Sequence, residues 1–275
     1  MNDDYLAVNR AMWDDRAPVH AGSADYDLRR YRTDPAALSD VVRFDLPRLG
    51  DVSGLRAVHL QCHIGTDTLS LHRLGADVVG LDLSPASLAH ARELAAQTGA
   101  DVAYVEGDVY DAVDLLGATS YDLVYTGVGA IIWLPDIDRW ARVVAELLAP
   151  GGRLFLREGH PMLMAYDVVD GRPELAYPYF HQPAPLAFTS TETYVETETS
   201  LQALPSLEWT HGIGEVATAL LDHGMTVTGL AEHDSVPWVA LPGLMEPHPD
   251  HPGEHRMADH PERMAASYTL QAVKP

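Results

Sequence analysis

Val58-His-Leu-Gln-Cys-His-Ile-Gly65 is a short apolar run that breaks into a turn at Gly65, and Asp77-Val-Val-Gly-Leu-Asp82 is a second apolar run that ends in a carboxylate. A strand that turns tightly into a helix N-terminus, followed by a strand with a carboxylate at its tip, is how many proteins hold a nucleoside. The helix N-terminus offers unpaired backbone N–H groups to an anionic end, and the carboxylate accepts the ribose hydroxyls.

Further landmarks follow in a consistent order. Ser84-Pro85 starts a helix with an N-cap and a proline at its first position, and an Ala- and Leu-rich stretch continues it to Gln97. Ala103 to Tyr110 holds a third strand that ends in Asp108, Tyr121 to Gly127 a fourth, and Leu147 to Glu158 a helix end, a turn and a fifth. With these residues the chain resembles the class I S-adenosylmethionine-dependent methyltransferases, and within them a bacterial small-molecule branch with a first motif close to Leu-Gln-Cys-His-Ile-Gly. The commoner family pattern is acidic-x-Gly-x-Gly-x-Gly. Here His59 stands at the acidic position, Gln61 and His63 at the first two glycines, and Gly65 at the third.

The resemblance implies an α/β fold: a doubly wound, seven-stranded, mostly parallel sheet of Rossmann-like type, with an N-terminal helical cap over residues 1–50 and a methyltransferase domain over 51–275. It implies S-adenosyl-L-methionine as cofactor. Gln61, His63 and Gly65 would meet it in the first loop, Asp82 and Leu83 at the ribose, Asp108 and Val109 at the adenine, and Thr126 at the tip facing the methyl donor. An oxidoreductase is an alternative, since Asp82 would also suit a nicotinamide dinucleotide, but Gly-x-Gly-x-x-Gly for the pyrophosphate is missing. A non-catalytic binding protein on the same fold is a third reading, from the glycine-poor first motif.

Composition agrees with a soluble enzyme. The chain has 275 residues, 47% of them hydrophobic, enough for a substantial core. No apolar run reaches the length of a spanning helix, and Met1 to Tyr5 lacks the pattern of a secretion signal, so the expected location is cytoplasmic and no membrane partner is expected. A formal charge of −22 repels phosphate backbones, which argues against nucleic acid as a partner. The single cysteine, Cys62, reads as a small apolar filler.

Residues before the first strand carry Trp13, Arg16, Tyr26 and an Asp34-Pro35 helix start, and the resemblance makes Trp13, Arg16 and Tyr26 pocket residues together with Trp133. Residues 159–206 are too long for a simple connection. The alternation of Glu and Thr between Phe188 and Leu201 predicts a strand, so the segment reads as an inserted antiparallel arm that covers the acceptor or pairs two subunits into a homodimer. Leu207 to Gly224 reads as a helix, Met225 to Glu232 and Ser267 to Lys274 as the last strands. Four histidines between Glu246 and Pro261 lie among prolines at no zinc-like spacing, so the segment reads as a solvated loop and no metal is expected.

Methyl transfer from a sulfonium needs orientation, desolvation and, for a weak nucleophile, a base. His160 at the fifth strand's tip is the first choice, with Glu158 and His211 as alternatives. Trp13, Trp133, Tyr166, Tyr177, Tyr179, Phe180 and Trp238 point to a small aromatic or heteroaromatic acceptor, an indole or phenol of secondary metabolism.

Overall fold

The computed structural model describes residues 4–202 and 204–275; the first residues of the cap, at which a missing secretion signal was read, and Ala203 in the arm lie outside the described residues. Seven strands make the main sheet: β1 (Arg56–Leu60), β2 (Asp77–Asp82), β3 (Ala103–Glu106), β4 (Tyr121–Thr126), β5 (Leu148–Gly159), β6 (Thr226–His233) and β7 (Ser267–Val273). Their order is β6-β7-β5-β4-β1-β2-β3. β1 runs parallel to both β2 and β4, while β7 is antiparallel to β5 and β6. The chain therefore reverses its winding between β1 and β4, and a crevice opens beyond the carboxyl ends of those strands.

The helices are α1 (Asp4–Gly22), α2 (Leu28–Thr33), α3 (Asp40–Leu49), α4 (Thr66–Arg73), α5 (Pro85–Thr98), α6 (Ala112–Leu116), α7 (Ile137–Leu147), α8 (Pro161–Met164) and α9 (Ile213–Asp222). Local signals set several of their ends. Ser84 accepts from the Ser87 N–H at 3.0 Å, Pro85 takes the first turn, and Gly99 closes α5 at φ 70°. In α7, Ile137, Trp140, Ala141, Val144 and Leu147 are buried at helical spacing and pack with Val124, Leu154 and Leu270 of the sheet.

Four local expectations are corrected. The cap is helical, but Asp34 does not start a helix: its Oδ1 accepts from the Ala36 N–H at 2.8 Å, and α3 begins after Ser39, which accepts from the Val42 N–H. The strand expected through Leu201 ends at Ser190, where Leu186–Ser190 pairs with Leu204–Glu208. Beyond Ser190, backbone groups bond to the cap instead of a neighbouring strand. Arg16 donates to the Glu192 carbonyl, Asp25 accepts from the Glu196 N–H, and Asp15 accepts from the Gln202 N–H. Because Leu207 and Glu208 belong to that hairpin, the helix expected from Leu207 starts only after Gly212. Finally, the His- and Pro-rich connection is not an open loop, since Met245–Pro247 and Ser235–Val236 flank His255–Met257 in a three-stranded sheet.

Candidate active site at the strand tips

The loop from β1 to α4 lines the crevice. Gln61 and His63 both take left-handed backbone, at φ 56° and 50°, where glycine is the cheapest residue and histidine is tolerated better than most. The loop is fastened to β2 by Asp82, whose Oδ2 accepts from the His63 N–H at 2.7 Å and whose Oδ1 accepts from the Ser84 N–H at 2.8 Å. Burial pushes the Asp82 carboxyl up to about 6, with those two N–H donors acting in the opposite sense. Cys62 is buried against Leu88, Ala91 and Tyr104, in the filler role.

The cap closes over this loop. Trp13 meets His63 edge-on at 5.0 Å and Trp133 at 5.2 Å, and Tyr26 lies 5.8 Å from the His63 ring. Trp13, Tyr26 and Trp133 therefore come together, while Arg16 reaches over them to the arm. His20 and Tyr194 complete the cluster and were missed in the sequence. Trp13, Arg16 and His20 are spaced as one helix face, a signal that points to His20. His20 and His63 share a hydrogen bond of 2.8 Å, continued to Thr193 on one side and Ser87 on the other. Burial lowers His20 to about 2 and His63 to about 3, so both rings are neutral.

Oε1 of Gln61, Oγ1 of Thr126 and Nη1 of Arg16 are buried here without a hydrogen-bond partner. Gln61 spends its Nε2 donor on the Ala130 carbonyl, which leaves the acceptor end for a ligand. Asp108 caps a short turn by accepting from the Tyr110 N–H, Val109 is buried behind it, and Leu83 is half-buried beside Asp82.

The other side of the 127–133 segment faces a second space. A cavity of about 190 Å³ lies against Ile131, Ile132, Glu158 and Gly159, with Tyr166, Tyr177, Phe188, Trp209 and Trp238 as aromatic walls and Asp167, Glu208 and His211 as polar ones. Glu158 accepts from four backbone N–H groups, those of Gly129, Ala130, Ile131 and Gly159, at 2.6–2.8 Å. Its carboxylate thus fixes the segment shared by crevice and cavity. Burial pushes it up to about 7, against the pull of those donors.

His160 does not line the cavity, and both its ring nitrogens are used. Nδ1 accepts from the Met162 N–H at 3.0 Å, capping α8, so the proton is on Nε2, which lies 3.0 Å from Glu232. Replacing His160 with Ala therefore removes a cap and is expected to cost about 1 kcal/mol of stability. Catalytic turnover in this variant should stay within a few-fold of wild type. A loss beyond 10²-fold with normal cofactor binding would restore the histidine as the base.

His211 lines the cavity and donates from Nε2 to the Leu134 carbonyl at 2.8 Å. Of the aromatic residues expected at the acceptor, Tyr166, Tyr177 and Trp238 line the cavity, Trp13 and Trp133 lie at the crevice, Tyr179 packs against Gly212, and Phe180 is exposed. Among the described residues, no helix is long and apolar enough to cross a membrane.

The sequence profile of the methyltransferase domain family matches residues 58–154. The ubiquinone biosynthesis O-methyltransferase of Photorhabdus laumondii is 32% identical over 125 residues, which is 46% of this chain and 50% of that protein. The chain spans about half the length of the curated relatives it matches. An S-adenosylmethionine-dependent methyltransferase from Mesorhizobium loti superposes with a TM-score of 0.58 at 23% identity, over 84% of this chain and 95% of that one. A glycopeptide N-methyltransferase complexed with S-adenosylmethionine does so at 0.53 and 20%, over 88% and 96%. At these identities the superpositions establish the fold.

Proposed function

We propose that this chain is a class I S-adenosylmethionine-dependent methyltransferase and that it methylates the oxygen of a small hydroxylated aromatic compound, a reading supported by the domain match over residues 58–154 and by the fold. The observation that carries this reading is the shared 127–133 segment, with a polar, cap-covered crevice on one side and a small aromatic cavity on the other. The cavity is smaller than the roughly 300–1,000 Å³ of sites for drug-sized ligands, which suits an acceptor built on one ring. The naming of the P. laumondii relative as an O-methyltransferase favours oxygen over nitrogen or carbon.

The residues of the crevice fit the cofactor. Asp82 retains lone pairs for ribose hydroxyls, and the unpartnered Gln61 Oε1 and Thr126 Oγ1 accept and donate at the methyl-donor end. S-adenosylmethionine, once bound, supplies a methyl group on a sulfonium, and aromatic rings such as Trp13 and Trp133 stabilise cationic charge nearby. With cofactor bound, Trp13, Tyr26 and the arm would exclude water and the cavity would hold the acceptor. The proton of the acceptor oxygen passes to Glu208, which lines the cavity and whose carboxyl is raised above its ordinary value by burial. Glu208→Gln is expected to lower turnover about 10²–10⁴-fold with cofactor affinity unchanged.

Ribose recognition by Asp82 requires its ionised form. Cofactor affinity is therefore expected to fall as pH drops through about 6, where the folded chain protonates this carboxyl and converts an acceptor oxygen into a donor. Calorimetry from pH 5 to 7.5 reads this, and a flat profile removes Asp82 from the ribose. Incubation with S-adenosylmethionine and single-ring phenols, followed by quantification of S-adenosylhomocysteine and methylated product, tests the reaction. Binding of NAD in place of S-adenosylmethionine overturns it.

A further inference from the structure

We propose that His181, His211 and Glu215 form a site for one divalent transition-metal ion on the wall of the aromatic cavity. One ligand atom from each lies within 4.8 Å of the others. An ion bound at about 2.0–2.2 Å brings such atoms to roughly 3.3–4.4 Å, so small side-chain rotations suffice.

The hydrogen-bonding pattern calls for a cation. A carbonyl oxygen only accepts, so the bond from His211 Nε2 to Leu134 fixes the proton on Nε2. In the neutral ring Nδ1 is then a lone pair, and it faces Oε2 of Glu215 at 3.5 Å. Two acceptors face each other there. His211 is 4% exposed, and its Nδ1 is buried without a hydrogen-bond partner. A proton on Nδ1 would resolve this pair alone. It would leave the stacked His181, whose own Nδ1 is also buried without a partner, unexplained. An ion shared by all three accounts for both rings.

The donor set selects the metal. Two imidazoles and one carboxylate suit Zn²⁺, Co²⁺ or Ni²⁺, whereas Mg²⁺ and Ca²⁺ prefer oxygen alone. The His211 bond to Leu134 is the kind of outer contact that orients a ligating imidazole. Three protein ligands leave a fourth position open, and its use by an acceptor oxygen rests on the proposed function above.

The full chain, stripped with chelator, is titrated with Zn²⁺ by calorimetry and with Co²⁺ by visible absorption. One equivalent is expected to bind, with a Co²⁺ spectrum of low coordination number. His181→Ala and Glu215→Gln should weaken binding at least tenfold while the circular dichroism spectrum is kept. The double variant His248→Ala/His251→Ala should bind as wild type, which separates this site from the other histidines. Equal uptake by wild type and Glu215→Gln, or no stoichiometric binding, overturns the site. Either result leaves the methyl-transfer assay unaffected as a test of the proposed function, and metal binding without methyl transfer refutes that function alone.

Discussion

Glu254→Ala is expected to lower the unfolding free energy by about 3–5 kcal/mol, because it leaves a guanidinium buried without its counter-charge. Arg157 and Glu254 are both essentially inaccessible to solvent and meet in a two-pronged pair at 2.9 and 2.7 Å. Ser235 donates to the Glu254 carboxylate and Arg157 donates to Ser267. The guanidinium also lies 3.7 Å from the centre of the Phe44 ring. This cluster ties β5 to α3 and to the small sheet after β6. The double variant Arg157→Met/Glu254→Met should recover much of the loss, since a buried pair is often no better than apolar residues of similar volume. Urea unfolding of both variants reads the difference. If Glu254→Ala costs under about 1 kcal/mol, the guanidinium reaches water in solution and the pair is not an anchor.

Much of the fold was readable because its signals are local. Ser84, Pro85 and Gly99 bound α5 by capping chemistry, Gly65 stands at the turn into α4, and Asp82 ends β2, as their positions suggest. The sheet, its mixed edge and the match of residues 58–154 to the methyltransferase domain profile agree with the sequence reading. What failed was long-range. The Glu and Thr alternation after Phe188 has the period of a strand, but its backbone is met by Asp15, Arg16 and Asp25, 171 to 187 residues earlier. Periodicity does not carry that information.

The candidate site divides the same way. The missing glycines at Gln61 and His63 were visible, and the left-handed backbone they require is present. Glu158 was conspicuous as a carboxylate at a strand tip, yet three of its four N–H partners lie on the 127–133 segment and are set by the fold. At His160 the local signal has two meanings, because a histidine at a strand tip suits a base and His-Pro at a helix start suits a cap. The ring is spent on the cap. The pairing of His181 with His211 and Glu215 depends on how the arm returns to α9, and no spacing in the sequence announces it.

Gly65→Ala should be nearly as damaging as loss of the buried pair, at roughly 2–5 kcal/mol, for two separable reasons. Gly65 sits at φ 79°, where an L side chain costs about 1–2 kcal/mol. A Cβ there would also lie 2.6 Å from Tyr104 Oη and 2.7 Å from Ala91 Cβ. The tyrosine can swing, but Ala91 Cβ is a stub on α5, so the loop itself must move, which adds about 1–3 kcal/mol. Gly99→Ala is the control. It has similar backbone at φ 70° but open space around it, and should lose only the conformational part, about 1 kcal/mol. Adding Tyr104→Phe to Gly65→Ala removes the hydroxyl contact, leaving the ring carbon at 3.0 Å and Ala91 Cβ at 2.7 Å, and should restore a fraction of the stability. Displacement of the loop also carries His63 away from Asp82, so cofactor affinity should fall at least tenfold in Gly65→Ala and stay unchanged in Gly99→Ala. Equal destabilisation by the two alanines would mean that the packing of Gly65 against α5 is not tight, and normal cofactor affinity in Gly65→Ala would separate this turn from the binding crevice.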